Sequence, residues 1–441
     1  MGPALAGATA RVRREASLRG AVHGAILGQV RATKGMAMRD TNLLQLALGL
    51  TPPWTVTRSD FDPAAQRLDI EIDFAPGSRF PCPHCGAADC PAYDTQRMSW
   101  RHLNFFQHQA YLNARVPRVR CDTCGIKQVH VPWARPDSGF TLLFEALLMT
   151  MLSAMPVRTV AKMVGEHDTR LWRVLHHYVD QARARADASA VTRVAIDETA
   201  ARRGHDYITL FVDIDQARVL FATEGKHAAT VAAFADDLAA HGGDAEAIDE
   251  VCIDMSPAFI KGTAEHLPNA AVTFDKFHAV KIVNDAVDQV RRAEQKGQSV
   301  LRGTRYIWLR NPANLSDRQQ ATLDSLPTRH LKTARAYQIR LAFQDLYHQP
   351  SAEAGAGFLK KWYFWATHSR LAPMIDAART VKHHWHGILR WFDSRIANGL
   401  IEGINSLVQA AKAKARGYRS TRNLKAIVYL LAGKLDLRLP A

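Results

Sequence analysis

The middle of the chain contains three consecutive runs, VAIDETA (194–200), DYITLFVDID (206–215) and ARVLFATEGK (217–226). Each run is rich in β-branched and aromatic residues, and short polar or glycine-containing segments separate them. Runs of this length and composition are typical of strands joined by hairpins. The sequence therefore predicts three consecutive antiparallel strands.

Helical and strand-like segments alternate after these runs. A helical pattern near 227–241 precedes the apolar run EVCIDM (250–255), and a second one near 257–266 precedes AAVTFD (270–275). This order predicts a mixed sheet with right-handed crossovers, because strand–helix–strand connections within one sheet are almost always right-handed. The predicted fold class is α/β, with the element order of ribonuclease H-like folds.

Two aspartates are predicted to end strands of this sheet. Asp197 follows the first apolar strand, and Asp254 follows the fourth. The first and fourth strands are neighbours in a mixed sheet of this order, so the two carboxylates can share a metal ion. Carboxylate oxygens suit Mg²⁺, and two such ions roughly 3.5–4 Å apart serve the attacking and leaving oxygens of phosphodiester cleavage. Asp197 and Asp254 are therefore candidate catalytic residues.

A third carboxylate is expected from a helix that reaches the same cleft, and segment 398–420 offers one. Its predicted apolar stripe comprises Leu400, Ile404, Leu407, Val408 and Ala411, and its polar face comprises Glu402, Asn405, Gln409, Lys412 and Arg416. Glu402 is the candidate third ligand. Periodicity alone favours the alternative, an ordinary surface glutamate on a solvated amphipathic helix.

Cations cluster after Glu402 and predict contact with DNA. Neutralisation of phosphates by lysine and arginine releases counterions and supplies much of the affinity of DNA-binding proteins. The predicted contacts in this segment are Lys412, Lys414, Arg416, Arg419 and Arg422. The polar face of the helix is expected to lie along DNA.

Two CxxC pairs lie in the N-terminal third of the chain. Cys82 and Cys85 form the first pair, Cys121 and Cys124 the second, and a glycine follows each pair. Each turn brings two thiolates to one ion, and four sulfurs complete a closed tetrahedral Zn²⁺ site, which is structural. The intervening segment 95–120 alternates enough to form a hairpin that carries both turns.

Other interpretations of this region stay open. Cys90 and His84 are possible substitute ligands, and a redox-active CxxC is the alternative to zinc, although that motif normally occurs once and in a βαβ context. Cys252 lies in an apolar strand and is expected to pack in the core. Basic residues between the pairs predict phosphate contacts or, equally, a solvated surface: Arg97, Arg101, His102, Arg115, Arg118 and Arg120.

A helical period between 140 and 182 predicts a helix-turn-helix. After a first helix come VRTVAKMV (157–164) and TRLWRVLHHYVDQA (169–182), joined at Gly165–Asp168, with Asp168 or Thr169 as the expected cap. The second helix is expected to bury Leu171, Val174, Leu175 and Tyr178 and to present Arg170, Arg173 and His177 to a major groove. The predicted DNA contacts of the motif are Arg158, Lys162, Arg170 and Arg173. Many such hairpins bind nothing.

Composition agrees with a nucleic-acid partner. The 441 residues include 57 Lys and Arg against 42 Asp and Glu, which gives a formal charge of +15. This charge favours a polyanion, although it also fits a protein kept soluble by its charge. Absence of an uncharged apolar stretch of membrane-spanning length predicts a soluble protein, and six cysteines, four of them in CxxC pairs, suit a reducing cytoplasm.

These motifs together resemble the bacterial ISL3 family of insertion-sequence transposases over about residues 38–435. The resemblance is carried by the double CxxC ribbon, the helix-turn-helix, and the motifs VAIDE, VCIDMSPAF, FDKFHAVK and NGLIEGINSLVQAAKAKARGYRS, in that order. It implies that Asp197, Asp254 and Glu402 form a DDE triad in a ribonuclease H-like core. It also implies a largely helical insertion between Asp254 and Glu402, and a supporting rather than ligating role for Asp275 and His278.

Residues 285–395 carry the helical segments expected of that insertion. Their tryptophans, Trp362, Trp365, Trp385 and Trp391, either stack on unpaired bases or, as is more usual for aromatic residues at helical spacing, pack in a core. The predicted organisation is a disordered extension or upstream start (1–37), a zinc ribbon (38–135), a helix-turn-helix (140–185), a catalytic core (190–284 and 396–435) and a helical insertion (285–395).

The predicted function is that of a transposase. Such an enzyme binds terminal inverted repeats and catalyses strand cleavage and strand transfer with Mg²⁺ or Mn²⁺, and it acts on double-stranded DNA as a dimer or larger assembly in the bacterial cytoplasm, associated with the nucleoid. Two alternatives remain: a structure-selective nuclease with the same fold, and a zinc-dependent DNA-binding regulator without catalysis.

Overall fold

A computed structural model describes residues 39–202, 204, 206–396 and 399–440. The predicted extension or upstream start at 1–37 lies outside the described residues. The chain divides into two compact units, Met1–Phe144 and Glu145–Ala441. In the described part of the chain, no helix has the length and apolar character that a membrane crossing requires.

The first unit is built on a sheet that extends beyond the two cysteine pairs. Its elements are α1 (Asp40–Ala47), β1 (Trp54–Asp62), β2 (Arg67–Phe74), β3 (Arg79–Phe80), β4 (Cys90–Phe105), β5 (His108–Cys121) and β6 (Gly125–Gln128). The strand order is β1-β2-β5-β4-β3, and β6 pairs with the end of β5. The long antiparallel hairpin of β4 and β5 confirms the prediction for 95–120.

An aromatic core supports this sheet. Trp54, Trp100 and Trp133 are at most 8% exposed, and the Trp133 ring lies 5.0 Å from Trp54 and 5.6 Å from Trp100, edge to face in both cases. The hairpin of β1 and β2 brings Trp54 into this core, and β2 runs parallel to β5. Neither the β1–β2 hairpin nor the parallel pairing of β2 with β5 was predicted from the sequence.

The second unit begins with helices. They are α2 (Leu142–Ala154), α3 (Val157–Val164) and α4 (Asp168–Ala184). The division between the units falls in the first turn of α2, nine residues after the predicted end of the zinc ribbon at 135. Gly165 between α3 and α4 has φ +70°, a conformation that glycine adopts without steric cost. A helix-turn-helix is therefore present where the helical period predicts it.

A five-stranded mixed sheet follows. Its strands are β7 (Arg193–Ala200), β8 (Tyr207–Asp213), β9 (Arg218–Glu224), β10 (Glu250–Ile253) and β11 (Ala271–Phe274), in the order β11-β10-β7-β8-β9. The first three are antiparallel, whereas β10 is parallel to both β7 and β11. The predicted fold class, α/β with neighbouring first and fourth strands, is confirmed.

Helices cover both faces of this sheet. They are α5 (Ala228–Ala240), α6 (Pro257–His266), α7 (Lys276–Glu294), α15 (Gly399–Lys414) and α16 (Thr421–Ala432). Buried side chains of α5, α6 and α7 pack with one face, and those of α15 and α16 with the other. Cys252 is 2% exposed on the second face, as expected for a core cysteine.

The region between α7 and α15 is helical, as predicted. It contains α8 (Arg305–Leu309), α9 (Asp317–Ser325), α10 (Lys332–Gln344), α11 (Ala352–Thr367), α12 (Ala372–His383), α13 (Trp385–Leu389) and α14 (Trp391–Ser394). The predicted boundary at 284/285 falls inside α7, which continues unbroken to Glu294. Buried residues of this helical region, including Trp308 and Trp362, belong to one hydrophobic core with residues of β7 and β10.

Candidate metal centres and DNA-binding surfaces

Four cysteine side chains meet in the first unit. The ligand atoms of Cys82, Cys85, Cys121 and Cys124 all lie within 4.8 Å of one another, and the sulfurs of Cys85 and Cys121 are 3.6 Å apart. Four sulfurs placed tetrahedrally about 2.3 Å from one zinc ion stand about 3.8 Å from each other. The spacing and the soft donor set therefore fit a structural zinc ion, as the two CxxC pairs predict.

Backbone N–H groups in these turns lower the pKa values of Cys82 and Cys121, whereas the other cysteines and burial raise that of Cys124. Gly86 and Gly125 have φ values of +74° and +73°, which explains the glycine after each pair. Backbone N–H groups of Cys124 and Thr123 donate to the Cys121 sulfur and lower the pKa of its thiol to about 7. The thiolate is the form that binds zinc, so the local backbone prepares this sulfur for a metal.

The possible substitute ligands stay outside this cluster. The buried Cys90 thiol donates to the Ala87 carbonyl oxygen at 3.5 Å, and burial raises its pKa. The His84 side chain is exposed. Among the described residues, the four cysteines alone form a group of three or more His, Cys, Asp or Glu ligand atoms within 4.8 Å of one another.

The basic residues between the pairs have protein partners. Arg101 is 1% exposed, and His102 hydrogen-bonds Thr141 at 2.9 Å, so the prediction that these two face phosphates is wrong. Burial and the Arg101 charge lower the pKa of His102 to about 4. Three further arginines form cross-strand ion pairs on the surface: Arg97 with Glu71, Arg115 with Asp73, and Arg118 with Asp94.

Strand register brings three aspartates to one level of the sheet in the second unit. The registers of β10 with β7 and with β11, continued past Ile253, place Asp254 beside Asp197 on one side and beside Asp275 on the other. The backbone N–H of Asp275 donates to the Ile253 carbonyl oxygen at 2.9 Å. Because adjacent strands lie about 4.8 Å apart, these residues form what we call the aspartate row: Asp197, Asp254 and Asp275.

Asp197 lies within its strand, so the prediction that it ends the strand is wrong. β7 extends to Ala200 because its second half pairs with β8, whereas β10 stops at Ile253, before the level of Asp197. One edge of β7 is therefore uncovered by β10 at this position. The Asp197 carboxylate accepts hydrogen bonds from the Glu198 backbone N–H at 2.8 Å and from the Asn405 amide at 2.6 Å.

The other two aspartates directly follow their strands and precede the next helices. The Asp254 carboxylate accepts the Ser256 backbone N–H at 2.8 Å, just before α6. Asp275 caps α7 through the Phe277 backbone N–H at 2.6 Å, and His278 Nε2 lies 3.7 Å from its carboxylate. Both carboxylates are thereby held at the carboxyl ends of parallel strands.

Burial and mutual repulsion raise the pKa values of Asp197 and Asp275. Burial is the main cause for Asp197, whose pKa the Asp254 charge raises further, whereas His278 lowers it. Burial likewise raises the pKa of Asp275 to about 6, and the charges of Asp197 and Glu402 add to this. Carboxylates that resist ionisation together are a common property of metal and catalytic sites.

Glu402 lies within the electrostatic reach of the row. Its exposed side chain is in the first turn of α15, and its charge acts on the pKa of Asp275. In the described part of the chain, however, no three carboxylates have ligand atoms within 4.8 Å of one another. Carboxylate oxygens are the hard donors that Mg²⁺ prefers. In this structure the four carboxylates do not converge on one point.

The polar face of α15 is used differently from the prediction. Asn405 bonds Asp197, Gln409 donates to Thr199 Oγ1 at 2.7 Å, and Lys412 donates to the Ala200 carbonyl oxygen at 2.6 Å. These three residues fasten the helix to β7 instead of facing solvent. The predicted apolar stripe is also partly wrong, because Leu407 is 43% exposed, whereas Ile401 is 7% exposed.

The second helix of the helix-turn-helix has the predicted buried face. Leu171, Val174, Leu175 and Tyr178 are buried in α4. The cap differs from the prediction: His167, not Asp168 or Thr169, occupies the extended N-cap position, and its ring accepts the Thr169 backbone N–H. Sequence could not distinguish these positions, because capping depends on which residue leaves the helical conformation.

The predicted DNA-contacting cations are not equally accessible. Arg158, Lys162 and Arg173 are exposed, and Arg170 pairs with Glu166. In the C-terminal group the Lys414 ammonium donates to the Ala154 carbonyl oxygen at 2.9 Å, and Arg422 lies 3.5 Å from Asp180. The remaining members, Arg416 and Arg419, are exposed, whereas Lys412 is half-buried.

Side chains of α4 also connect it to α16 and α5. His176 Nε2 lies 2.9 Å from Asn423 Oδ1 in α16, and the Arg183 guanidinium donates to both oxygens of Asp237 in α5 at 2.8 Å. The same guanidinium lies 4.7 Å from the Tyr429 ring centroid. The second helix of the helix-turn-helix is therefore fixed to helices that cover the five-stranded sheet.

Three regions of the chain match family models. Residues 78–124 match the zinc-finger of transposase IS204/IS1001/IS1096/IS1165, and residues 129–179 match the helix-turn-helix domain of transposase family ISL3. Residues 194–428, more than half of the chain, match the DDE transposase model of the same family. The three matches occur in the order of the cysteine cluster, the helix-turn-helix and the aspartate row.

Two curated relatives span most of the chain. The transposase for insertion sequence element IS1557 of Mycobacterium tuberculosis is 27% identical, over 90% of this chain and 96% of its own length. The transposase for insertion sequence element IS1001 of Bordetella parapertussis is 28% identical, over 77% of this chain and 85% of its own length. With a DDE domain, a helix-turn-helix and a cysteine cluster in family order, the chain belongs to the ISL3 family of transposases.

Proposed function

We propose that this transposase binds the terminal inverted repeats of its insertion sequence, cleaves the DNA at the ends and joins the freed 3′-hydroxyl to target DNA. Asp197, Asp254 and Glu402 are the proposed ligands of two Mg²⁺ or Mn²⁺ ions. The observation that carries this proposal is the adjacency of Asp197 and Asp254 across β7 and β10, with Glu402 on the helix that Asn405 holds to Asp197.

Each part of the site has a distinct task in this proposal. Bound divalent ions would lower the pKa of the attacking water or hydroxyl and stabilise the leaving oxygen. The Asn405 amide fixes the orientation of the Asp197 carboxylate, and the Ser256 backbone N–H fixes that of Asp254. Asp275 holds His278 beside the row, and His278 lowers the pKa of Asp197.

Glu402 is proposed to complete the ligand set when metal and DNA are present. Its side chain is exposed and lies on a different element from the aspartates, so it can approach the row without displacing a buried contact. A carboxylate supplied by a separate helix leaves coordination positions for substrate oxygens. This arrangement is required of a catalytic metal site.

DNA is proposed to contact two groups of cations. Arg158, Lys162, Arg170 and Arg173 surround the helix-turn-helix, and exposure of three of them supports this assignment. Lys412, Lys414, Arg416, Arg419 and Arg422 form the second group. Lys412 and Lys414 each donate to one backbone carbonyl oxygen, which leaves further N–H donors of each ammonium for phosphates.

The cysteine cluster is proposed to hold zinc as a structural ion in the first unit. The protein is further proposed to act on DNA as a dimer or larger assembly, because two ends of an element must be joined, and to associate with the bacterial nucleoid. These assignments rest on the cysteine geometry, the net charge of +15 and the family.

Purified protein and labelled duplexes that carry the element's end test the central proposal. With Mg²⁺ we expect nicked and joined products, and with the Asp254→Ala variant neither. Wild-type activity in that variant would refute the assignment of the residue. Cleavage without any strand-transfer product would favour a nuclease, and metal-independent binding without cleavage would favour a regulator.

A further inference from the structure

Two cations share one tryptophan ring at the start of α7. The Lys276 ammonium nitrogen lies 4.7 Å from the Tyr347 ring centroid and 5.5 Å from the Trp391 ring centroid. The Arg395 guanidinium lies 5.0 Å from the same Trp391 centroid. The two rings meet edge to face, with centroids 5.1 Å apart. We call these four residues the cation notch.

Neither cation has an anionic partner in the described part of the chain. No ion pair or side-chain hydrogen bond joins Lys276 or Arg395 to a described residue, although Lys276 is half-buried. Burial lowers the pKa of Lys276, and no carboxylate raises it again. Three partly buried arginines of this unit, in contrast, are paired with carboxylates: Arg183 with Asp237, Arg193 with Asp215, and Arg218 with Asp213.

The position of Lys276 in its helix is also unfavourable. Lys276 is the first residue of the 19-residue helix α7, where the positive end of the helix dipole disfavours a cation. Cation–π contacts offset only part of the cost of partial desolvation. The Tyr347 hydroxyl is likewise buried, without a hydrogen-bond partner among the described residues. An anion beside the Lys276 ammonium or the Arg395 guanidinium would compensate a charge that has no ion pair among the described residues.

The chain neighbours of the notch indicate what this anion is. Lys276 directly follows Asp275 of the aspartate row, and Arg395 lies seven residues before Glu402. Burial and the charge of Asp275 also raise the pKa of the Tyr347 hydroxyl in the notch. A group bound at the notch would therefore lie beside the aspartate row.

We propose that Lys276 and Arg395 bind a backbone phosphate of the DNA strand that enters the aspartate row, next to the scissile phosphate along that strand. This proposal rests on the proposed function. A lysine supplies a compact charge and an arginine a planar pair of donors, and both suit phosphate oxygens. The residues of the notch would fix the register of the strand at the metal ligands.

Single neutral phosphates test this contact. Duplexes that carry the element's end, each with one methylphosphonate near the cleavage site, are assayed for binding with Ca²⁺ and for cleavage with Mg²⁺. In the wild type we expect one position at which neutralisation weakens binding about tenfold, the effect of one charge-assisted hydrogen bond. Lys276→Met and Arg395→Met should each bind unmodified DNA more weakly and lose sensitivity at that position.

Two further variants keep this test decisive. Lys276→Arg retains the charge and should restore sensitivity at that position. Lys281→Met is the matched control, because Lys281 is exposed on the same helix and already paired with Asp285 at 2.8 Å, and it should keep the wild-type profile. Each methionine variant should also reduce the slope of log affinity against log salt by about one.

The outcomes separate the notch from the proposed function. A wild-type profile in folded Lys276→Met and Arg395→Met proteins overturns the notch and leaves the proposed function standing. Failure of the wild type itself to bind and cleave end-containing DNA overturns both. Thermal unfolding of each variant distinguishes lost contacts from lost folding.

Discussion

The cysteine cluster and the aspartate row place their ligands in opposite ways. The cysteines lie in two tight turns, and their ligand atoms are within 4.8 Å of one another before any metal is considered. The carboxylates come from β7, from the ends of β10 and β11, and from α15, and no three of them converge in this way among the described residues. A structural site is thus closed by local turns, whereas a catalytic site stays wide enough for metal and DNA.

Removal of one carboxylate should give the largest effect. Asp254→Asn is expected to reduce cleavage of end-containing DNA by about a thousandfold or more, because loss of several kcal/mol of transition-state stabilisation corresponds to such a factor. Zinc content should not change. Asp376→Asn, an exposed aspartate in α12, is the control and should cleave normally. Normal cleavage by Asp254→Asn would remove this residue from the site.

Removal of one cysteine should instead affect folding. Cys82→Ala is expected to lose the zinc ion and unfold the first unit, because structural zinc sites contribute roughly 10–16 kcal/mol in small domains. Cys90→Ala is the matched control: it should keep one zinc per chain and lose only about 1–2 kcal/mol of stability from a small cavity. Metal analysis and thermal unfolding measure both effects. Zinc retained by Cys82→Ala would contradict the four-cysteine site.

The contact between Asn405 and Asp197 tests how the wide site is held. Asn405→Ala is expected to lower the cleavage rate about 10- to 100-fold, the usual cost of losing a group that orients a metal ligand. Gln409→Ala removes a neighbouring contact of the same helix with β7 and should reduce stability more than catalysis. Equal rate losses in both variants would indicate general loosening of α15.

The pH dependence of the unfolding free energy should reveal the buried imidazole of His102 in the first unit. The pKa of His102 is lowered from 6.5 to about 4, mainly by burial, so below pH 6.5 protons bind the unfolded state in preference. The free energy of unfolding should therefore fall as pH decreases from about 6.5 to 4, by about 2–3 kcal/mol from this group. For His102→Gln, the free energy of unfolding measured by chemical denaturation should fall less steeply as pH decreases. An unchanged slope would show that the pKa of His102 is the same in the folded and unfolded states.

The aspartate row should respond in the opposite direction. The pKa of Asp275 is raised from 3.8 to about 6, mainly by burial, so its contribution to stability is complete below pH 3.8 and is lost as pH rises through 6. Without added divalent cations, Asp275→Asn should therefore remove a decrease in unfolding free energy between about pH 4 and 7. Persistence of that decrease would assign it to another carboxyl group.

Features that depend on period or spacing were predictable from sequence. The runs rich in β-branched and aromatic residues specified β7, β8 and β9, and the order of strands and helices made β7 and β10 neighbours. The CxxC spacing specified the cysteine cluster, because each turn fixes two sulfurs within four residues. These features depend on residues close in the chain or on a general rule of sheets.

Features that depend on tertiary partners were not predictable. The polar residues Asn405 and Gln409 were expected to face DNA, since periodicity separates polar from apolar faces but does not reveal which polar groups find a partner. Asp275 was expected to support the site rather than to bind metal, and register places it as close to Asp254 as Asp197 is. The motif FDKFH contained a signal for this, because its aspartate follows a strand as Asp254 does.

The anchorage of α4 to α16 has a consequence for the DNA. α16 follows α15, which carries Glu402, after a loop of six residues, and the contacts of His176 and Arg183 fix α4 to the sheet unit. In the proposed function, the solvent-facing side of α4 reads the duplex and the aspartate row cuts it, so these contacts fix the distance between the two. B-DNA turns once in about 10.5 base pairs. A fixed distance in the protein therefore sets the number of base pairs between the recognised sequence and the bond that is cut.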